Sequence, residues 1–75
     1  MKLPVLPASE VIRVLEKEGF QIIRQRGSHV RLKHADGRTV TVPVHSSQDT
    51  GRGLLRKILR DADLSREEFI TLLDQ

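Results

Sequence analysis

The chain lacks the residues on which several kinds of functional site depend. Its 75 residues include no cysteine, which excludes a disulfide framework, a thiolate metal site and a cysteine nucleophile. There is no tryptophan or tyrosine and only two phenylalanines, so we do not expect single-stranded bases to be stacked on aromatic rings. No apolar run approaches the roughly 20 residues of a membrane span, and no signal segment follows Met1. We therefore expect a cytoplasmic protein with no membrane contact.

What remains is the composition of one small globular domain, with 37% hydrophobic and 31% charged residues. A chain of this length buries only roughly 60% of its unfolded surface, so its apolar residues must share a single core. We expect one domain over residues 1–75, with a core at about 8–62 and a short C-terminal helix at about 65–74.

Positive charge is concentrated in the middle of the chain. The net charge is +3, but residues 1–19 sum to zero and residues 61–75 to −4. Residues 20–60 contain two acidic and nine basic residues, a net charge of +7: Arg24, Arg26, Arg31, Lys33, Arg38, Arg52, Arg56, Lys57 and Arg60. A basic region of this kind indicates a polyanionic partner, with a solvated basic surface as the alternative.

Helical periodicity occurs near both ends of the chain. The first predicted helix runs from Pro7 at its entry to Gly19 at its C-terminal cap, with apolar residues at helical spacing: Ala8, Val11, Ile12 and Leu15. The second has one apolar stripe, formed by Leu54, Leu55, Ile58, Leu59 and Ala62. A capping box at Ser65 and Glu68, with Leu64 placed to pack against Phe69, predicts a short third helix.

Three runs of alternating residues lie between these helices, at 20–24, 29–34 and 39–43. Period-two alternation predicts strands that are buried on one side, with Phe20 and Ile22 on one face of the first. Gly27-Ser28 and Asp36-Gly37 are turn signals between the strands, and residues 43–50 are predicted to be a polar loop. The fold class is therefore α+β, in the order α-β-β-β-α-α, with a three-stranded antiparallel sheet and helices on one face. Double-stranded RNA-binding domains have the same α-β-β-β-α order.

The outer face of this sheet is the first candidate site. Alternation places Val30 and Leu32 inward and His29, Arg31 and Lys33 outward on the middle strand. A surface of this composition can bind phosphate, and the neighbouring Arg24 and Arg26 are candidates for the same role, with Arg52, Arg56 and Lys57 of the second helix as its extension. For these helix residues a solvated basic face is an equal alternative.

The histidines are the second candidate. No spacing among His29, His34 and His45 matches a metal-ligand pattern, so we expect no metal site and no cofactor. His29 follows Gly27-Ser28 among basic residues, where an imidazole can accept a ribose 2′-hydroxyl proton and cations can stabilise charge on a phosphate. His45 is as consistent with a loop histidine that holds backbone as with a second catalytic group, and His34 is placed at a strand end.

Four motifs in order resemble the HicA toxins of bacterial and archaeal toxin–antitoxin pairs, over about residues 9–69. They are Gly27-Ser28-His29, the turn Asp36-Gly37, Val42-Pro43-Val44-His45, and the sequence RGLLRKILRDA at 52–62 followed by LSREEF at 64–69. The resemblance implies a small mRNA interferase with a double-stranded-RNA-binding-domain-like fold and His29 as its catalytic residue. It also implies that Gly27 and Ser28 face the phosphate, and that a HicB-like antitoxin binds the toxin and blocks the site.

We therefore predict a metal-independent endoribonuclease that cleaves mRNA, with the RNA's own 2′-hydroxyl as the nucleophile and His29 as its general base. Lys33 or Arg31 would stabilise charge at phosphorus, and His45 is the candidate for the acid. The alternative is a non-catalytic RNA-binding or adaptor module of the same fold. We expect the free toxin to be monomeric, and the antitoxin to present acidic or phosphate-like groups to the basic region and to cover His29.

Overall fold

The structure, a computed structural model, describes residues 2–44 and 49–75. In chain order the elements are β1 (Leu6–Pro7), α1 (Ala8–Glu18), β2 (Gln21–Arg26), β3 (His29–Lys33), β4 (Thr39–Pro43), β5 (Asp49–Thr50), α2 (Arg52–Ala62) and α3 (Arg66–Leu73). The predicted fold class is confirmed, because a three-stranded antiparallel sheet in the order β2-β3-β4 follows α1 along the chain and precedes the two C-terminal helices. None of the helices in the described ranges is long and apolar enough to cross a membrane.

Helix α1 begins and ends where the sequence predicts. Pro7 is its N-cap residue, and Gly19 follows its last turn with φ 117°, in the left-handed region that glycine enters without strain. The Gly19 N–H donates to the Glu16 carbonyl at 3.1 Å. The buried side of α1 is a stripe of small and branched residues, Ala8, Val11, Val14 and Leu15.

Two tight turns set the register of the sheet. Gly27 has φ 57° and Ser28 does not have a positive φ, which is the pattern of a type II′ turn with glycine in its first position. The second turn is closed by two backbone hydrogen bonds of His34, each 2.9 Å long. The His34 carbonyl accepts from Gly37 N–H, and His34 N–H donates to the Arg38 carbonyl. Along β3 the burial alternates as predicted, with Val30 and Leu32 in the core and the other residues exposed.

The prediction for the first strand is only partly correct. Phe20 is buried, but it precedes β2, and all six residues of β2 are exposed. Ile22 pairs with Leu32 on the helix side of the sheet and still exposes 49% of its surface. The reason is geometric: both helices that pack against the sheet, α1 and α2, lie on β4 rather than on β2. A register shift between Ile22 and Arg24 marks a bulge in this strand.

The predicted loop at 43–50 is also partly wrong. Asp49–Thr50 forms the short strand β5, which pairs antiparallel with Leu6–Pro7. Pro43 ends β4, as the strand predicted at 39–43 requires, and residues 45–48 of the predicted loop lie outside the described residues. Strands of two residues contain too few positions to show a period in the sequence, which is why this pairing was not predicted.

The C-terminal helices close the core. Leu55, Ile58, Leu59 and Ala62 are the buried stripe of α2. The capping box of α3 is confirmed, because Ser65 Oγ accepts from Glu68 N–H at 3.0 Å and Glu68 Oε1 accepts from Ser65 N–H at 2.9 Å. Leu64 and Phe69 are both buried, so the residues flanking this box anchor α3 to the rest of the core.

Candidate phosphate-binding face of the sheet

The side of the sheet away from the helices is a polar surface built from three cross-strand rows. Because opposed residues of antiparallel strands point to the same face, the register fixes which side chains are neighbours. We call this surface the outward face. Its rows run from β2 through β3 to β4: Arg26, His29 and Pro43; Arg24, Arg31 and Thr41; Gln21, Lys33 and Thr39.

His29 lies at the end of this surface, directly after the Gly27-Ser28 turn and between Arg26 and Pro43. It is exposed, and its ring makes no hydrogen bond or ion pair with any residue in the described part of the chain. The turn itself is fixed, because the Ser28 carbonyl accepts a hydrogen bond from Val44 N–H. The arrangement therefore presents an unengaged imidazole at the end of a strand, beside a guanidinium.

The cations of the outward face are likewise not used to hold the fold. Arg24, Arg26, Arg31 and Lys33 are exposed, and within residues 2–44 and 49–75 none of them has a hydrogen-bond or ion-pair partner. Arg24 stands directly opposite Arg31, and like charges in that position destabilise a sheet. A bound polyanion would relieve this repulsion, so the surface is suited to phosphate.

His34 has a different environment from His29. Its Nε2 lies 3.2 Å from the Glu18 carbonyl oxygen, and its Nδ1 accepts from Asp36 N–H at 3.2 Å. The ring is partly buried and stands edge-on to Phe20, with the ring centroids 5.2 Å apart. His34 therefore joins the end of α1 to the turn after β3, and it is engaged in the fold. His45, the other candidate for a catalytic role, lies outside the described residues.

Arg38 contributes to the basic region of the sequence but not to the outward face. Its guanidinium pairs with Asp36 at 2.8 Å and with Glu18 at 3.4 Å, donates to the Ala62 carbonyl, and lies 5.1 Å from the centre of the Phe20 ring. The Arg38 backbone N–H and guanidinium lower the pKa of Asp36 below its usual value. Arg38 therefore connects three elements of the fold and is not available to a ligand.

The basic residues of α2 lie in the helix layer, which the sheet separates from the outward face. Arg52 Nε donates to the Leu3 carbonyl at 2.8 Å, and Lys57 Nζ pairs with Asp61 at 3.0 Å. Arg56 is exposed and lines a shallow groove with Leu3, Arg60 and Leu64. The structure thus does not bring Arg52, Arg56 and Lys57 onto the same surface as His29.

Sequence reasoning did not identify Gln21 as a member of the outward face. Its position follows from the pairing with Lys33, which the bulge in β2 makes difficult to infer from alternation alone. In the described ranges there is no cluster of three or more histidine, aspartate or glutamate residues that could hold a metal ion. The chemical groups that the face offers are therefore an imidazole and a row of cations.

Comparison with known proteins identifies one family. Residues 8–64 match the family described as HicA toxin of bacterial toxin–antitoxin, and this match covers α1, the three-stranded sheet, β5 and α2. No curated protein matches the chain.

Proposed function

The chain belongs to the HicA family of toxins of toxin–antitoxin systems, and on that premise we propose that it is an endoribonuclease that cleaves mRNA on the outward face of its sheet. The observation that carries this proposal is the state of His29, an exposed imidazole with no partner among the described residues, at the end of a row of unpaired cations. A histidine kept for the fold would be engaged, as His34 is.

The binding step uses the cations. Arg31 and Lys33 follow His29 at alternate positions of β3, so their side chains are spaced along one line of about 13 Å, at roughly 3.3 Å per residue. Arg24 and Arg26 widen this line on the β2 side. An RNA backbone lying along β3 would place successive phosphates on these cations and one phosphodiester at His29. Gly27 and Ser28, at the turn, would orient that phosphate through their backbone N–H groups.

The chemical step that fits these groups is an internal displacement. His29 takes the proton of the ribose 2′-hydroxyl, the 2′-oxygen forms a bond to phosphorus, and the bond from phosphorus to the 5′-oxygen breaks. The leaving oxygen accepts a proton and departs as a 5′-hydroxyl, and the other product ends in a 2′,3′-cyclic phosphate. Arg26, the cross-strand neighbour of His29, and Arg31 would stabilise the charge that builds on the phosphate oxygens. His45 stays the candidate for the acid.

Membership of this family also indicates the protein partner of the chain. The family implies an antitoxin, and we propose that this is a HicB-like protein that binds the outward face, that the free toxin is a monomeric single domain of residues 1–75, and that both act in the cytoplasm. The basic surface favours rapid encounter with an acidic partner.

The test is RNA cleavage by the purified chain, measured beside RNA binding. The proposal predicts that transcripts are shortened in vitro and that induced expression arrests growth. Tight binding that leaves the RNA intact would contradict it and would support a non-catalytic RNA-binding module. The matched control is His29→Ala, which leaves the row of cations in place and should bind RNA without cutting it.

A further inference from the structure

Strand β2 is the one strand of the three-stranded sheet that has no buried residue. It pairs with β3 only, all six of its residues are exposed, and α1 and α2 pack on β4 at the other side of the sheet. The outer edge of β2 consequently offers backbone groups to any strand that approaches it. Edges of this kind are sites where another chain adds to a sheet.

Apolar side chains accompany this open edge. Ile22 exposes 49% of its surface on the helix side of β2, and the next residue, Ile23, exposes 53% at the bulge. In the described residues only Val5 is a comparably exposed large hydrophobic residue. An incoming strand would cover both isoleucines, because its side chains would lie beside them on the two faces of the sheet.

The register shows which backbone groups are free. Arg26 and His29 flank a two-residue turn, so they exchange both of their hydrogen bonds across the hairpin. The two kinds of pair alternate along an antiparallel ladder, so the next pair, Gln25 and Val30, is a non-hydrogen-bonded pair. The Gln25 N–H and carbonyl therefore point away from β3, towards the open edge. The Gln25 side chain shares the helix side of the sheet with buried Val30, away from the outward face.

Charge determines what this edge accepts. Arg24 and Arg26 are unpaired among the described residues and lie on β2, and Arg31 is adjacent. A second copy of the chain, pairing β2 with β2, would bring like guanidinium groups together. A strand with carboxylates on the same face would instead neutralise them.

We propose that an extended, acidic segment of the antitoxin adds to the edge of β2 as a fourth strand. Its side chains would then contact Arg24 and Arg26, and the segment would lie one strand away from His29, which is directly opposite Arg26. This inference rests on the proposed function only for the existence of an antitoxin. It adds how that protein is held: by main-chain pairing at β2, beside its contact with the outward face.

The experiment measures the affinity of the antitoxin for two toxin variants that differ only at residue 25. The antitoxin encoded beside the toxin is the probe. Gln25→Pro removes an N–H that β3 does not use, and it therefore blocks strand addition without breaking the existing ladder. Gln25→Thr is the matched control. Both are made in His29→Ala toxin, and calorimetry should show binding weakened about tenfold or more for proline, from the lost hydrogen bonds and the obstructed edge, but little changed for threonine. Equal affinities for the two variants would overturn the inference.

Amide hydrogen exchange gives a test that needs no substitution. The Gln25 amide should exchange freely in the isolated toxin and become protected in the complex, whereas a Gln25 amide that still exchanges freely in the complex would contradict strand addition. Ile22→Lys supplies a second variant, which keeps the backbone and should also weaken binding.

The nuclease activity separates this inference from the proposed function. Gln25→Pro in the otherwise native toxin should cleave RNA like the parent, because Gln25 lies off the outward face, and coexpressed antitoxin should fail to restore growth. RNA cleavage by the parent with unchanged neutralisation of Gln25→Pro would reject strand addition alone. Antitoxin binding that depends on Gln25 in a chain that does not cut RNA would support strand addition and reject the nuclease.

Discussion

The two sides of the three-stranded sheet use their charged residues in different ways. Towards the helices, Arg38 joins Asp36, Glu18 and the end of α2, and it has no freedom to bind anything else. On the outward face, Arg31 is exposed beside Arg24 and has no partner in the part of the chain that the structure describes. Some charged residues of this small domain thus hold the fold, and others remain available to bind a ligand. Only the contacts that each residue makes distinguish the two roles.

The same contrast separates two histidines at opposite ends of β3. His34 is engaged with Glu18 and Asp36, whereas His29 is exposed and unengaged among the described residues. If this difference reflects function, then substitutions at the two positions should have opposite consequences for activity and for stability.

The largest expected effect is the loss of cleavage in His29→Ala. A well-placed general base contributes typically 10²–10⁴-fold, so the cleavage rate should fall by about that factor. The melting temperature should hardly change, because His29 is an exposed strand residue outside the core. Single-turnover cleavage of a labelled RNA together with thermal unfolding measures both. A variant that keeps the parental rate would show that His29 is not the base.

The reciprocal effect is expected for His34→Ala. Removing the ring deletes its contacts with Glu18 and Asp36 and its packing against Phe20. Losses of this type cost about 1–3 kcal/mol in the free energy of unfolding. Denaturant unfolding should show this loss, and RNA cleavage assayed well below the melting temperature should persist. Parental stability combined with lost cleavage would reverse the roles assigned to the two histidines.

A smaller effect is expected for the cations, and it is best measured through salt. RNA affinity should fall as salt rises, and Arg31→Ser or Lys33→Ser should each lower the slope of the log–log plot by about one. Arg60→Ser removes the same charge from α2, in the helix layer, and should leave the slope unchanged. Equal changes for all three variants would indicate binding by overall charge rather than by the outward face.

The smallest effect concerns the repulsion between Arg24 and Arg31. Opposed pairs on a sheet contribute roughly 0.2–1 kcal/mol, so Arg24→Thr should stabilise the fold by about that amount while it weakens RNA binding. Arg38→Thr is the control, because it removes an arginine that is paired and should destabilise the protein. Destabilisation by Arg24→Thr would mean that Arg24 supports the fold.

Much of this architecture is predictable because its elements carry regular patterns. Successive residues of β3 point to opposite faces of the sheet. Once Val30 and Leu32 are placed in the core, His29, Arg31 and Lys33 must therefore lie on the outward face. The stop of α1 and the start of α3 were likewise predictable, since Gly19 and Ser65 have the backbone and side-chain properties that those ends require.

Other features depend on contacts between distant parts of the chain. The exposure of β2 follows from where the helices pack, which its own sequence does not encode, and its bulge places Ile23 beside Arg24 against a single residue of β3. The sequence does not show that Arg38 holds the fold while Arg31 is unpaired, because both are arginines of the same basic region. The partners of Arg38 include residues that lie 20 and 24 positions away along the chain. The sequence left Arg56 open between an extension of the basic surface and a solvated basic face, because it does not show that the sheet stands between α2 and His29.

The most direct test of the account is the chemistry of the cut ends. If His29 activates the ribose 2′-hydroxyl, cleavage should leave a 2′,3′-cyclic phosphate and a 5′-hydroxyl, and it should proceed in the presence of a chelator. An RNA with a single 2′-deoxy nucleotide at the scissile position should be bound and not cut, whereas the same change elsewhere should have little effect. Cleavage at the 2′-deoxy position, or ends that carry a 5′-phosphate, would contradict the mechanism that we assign to the outward face.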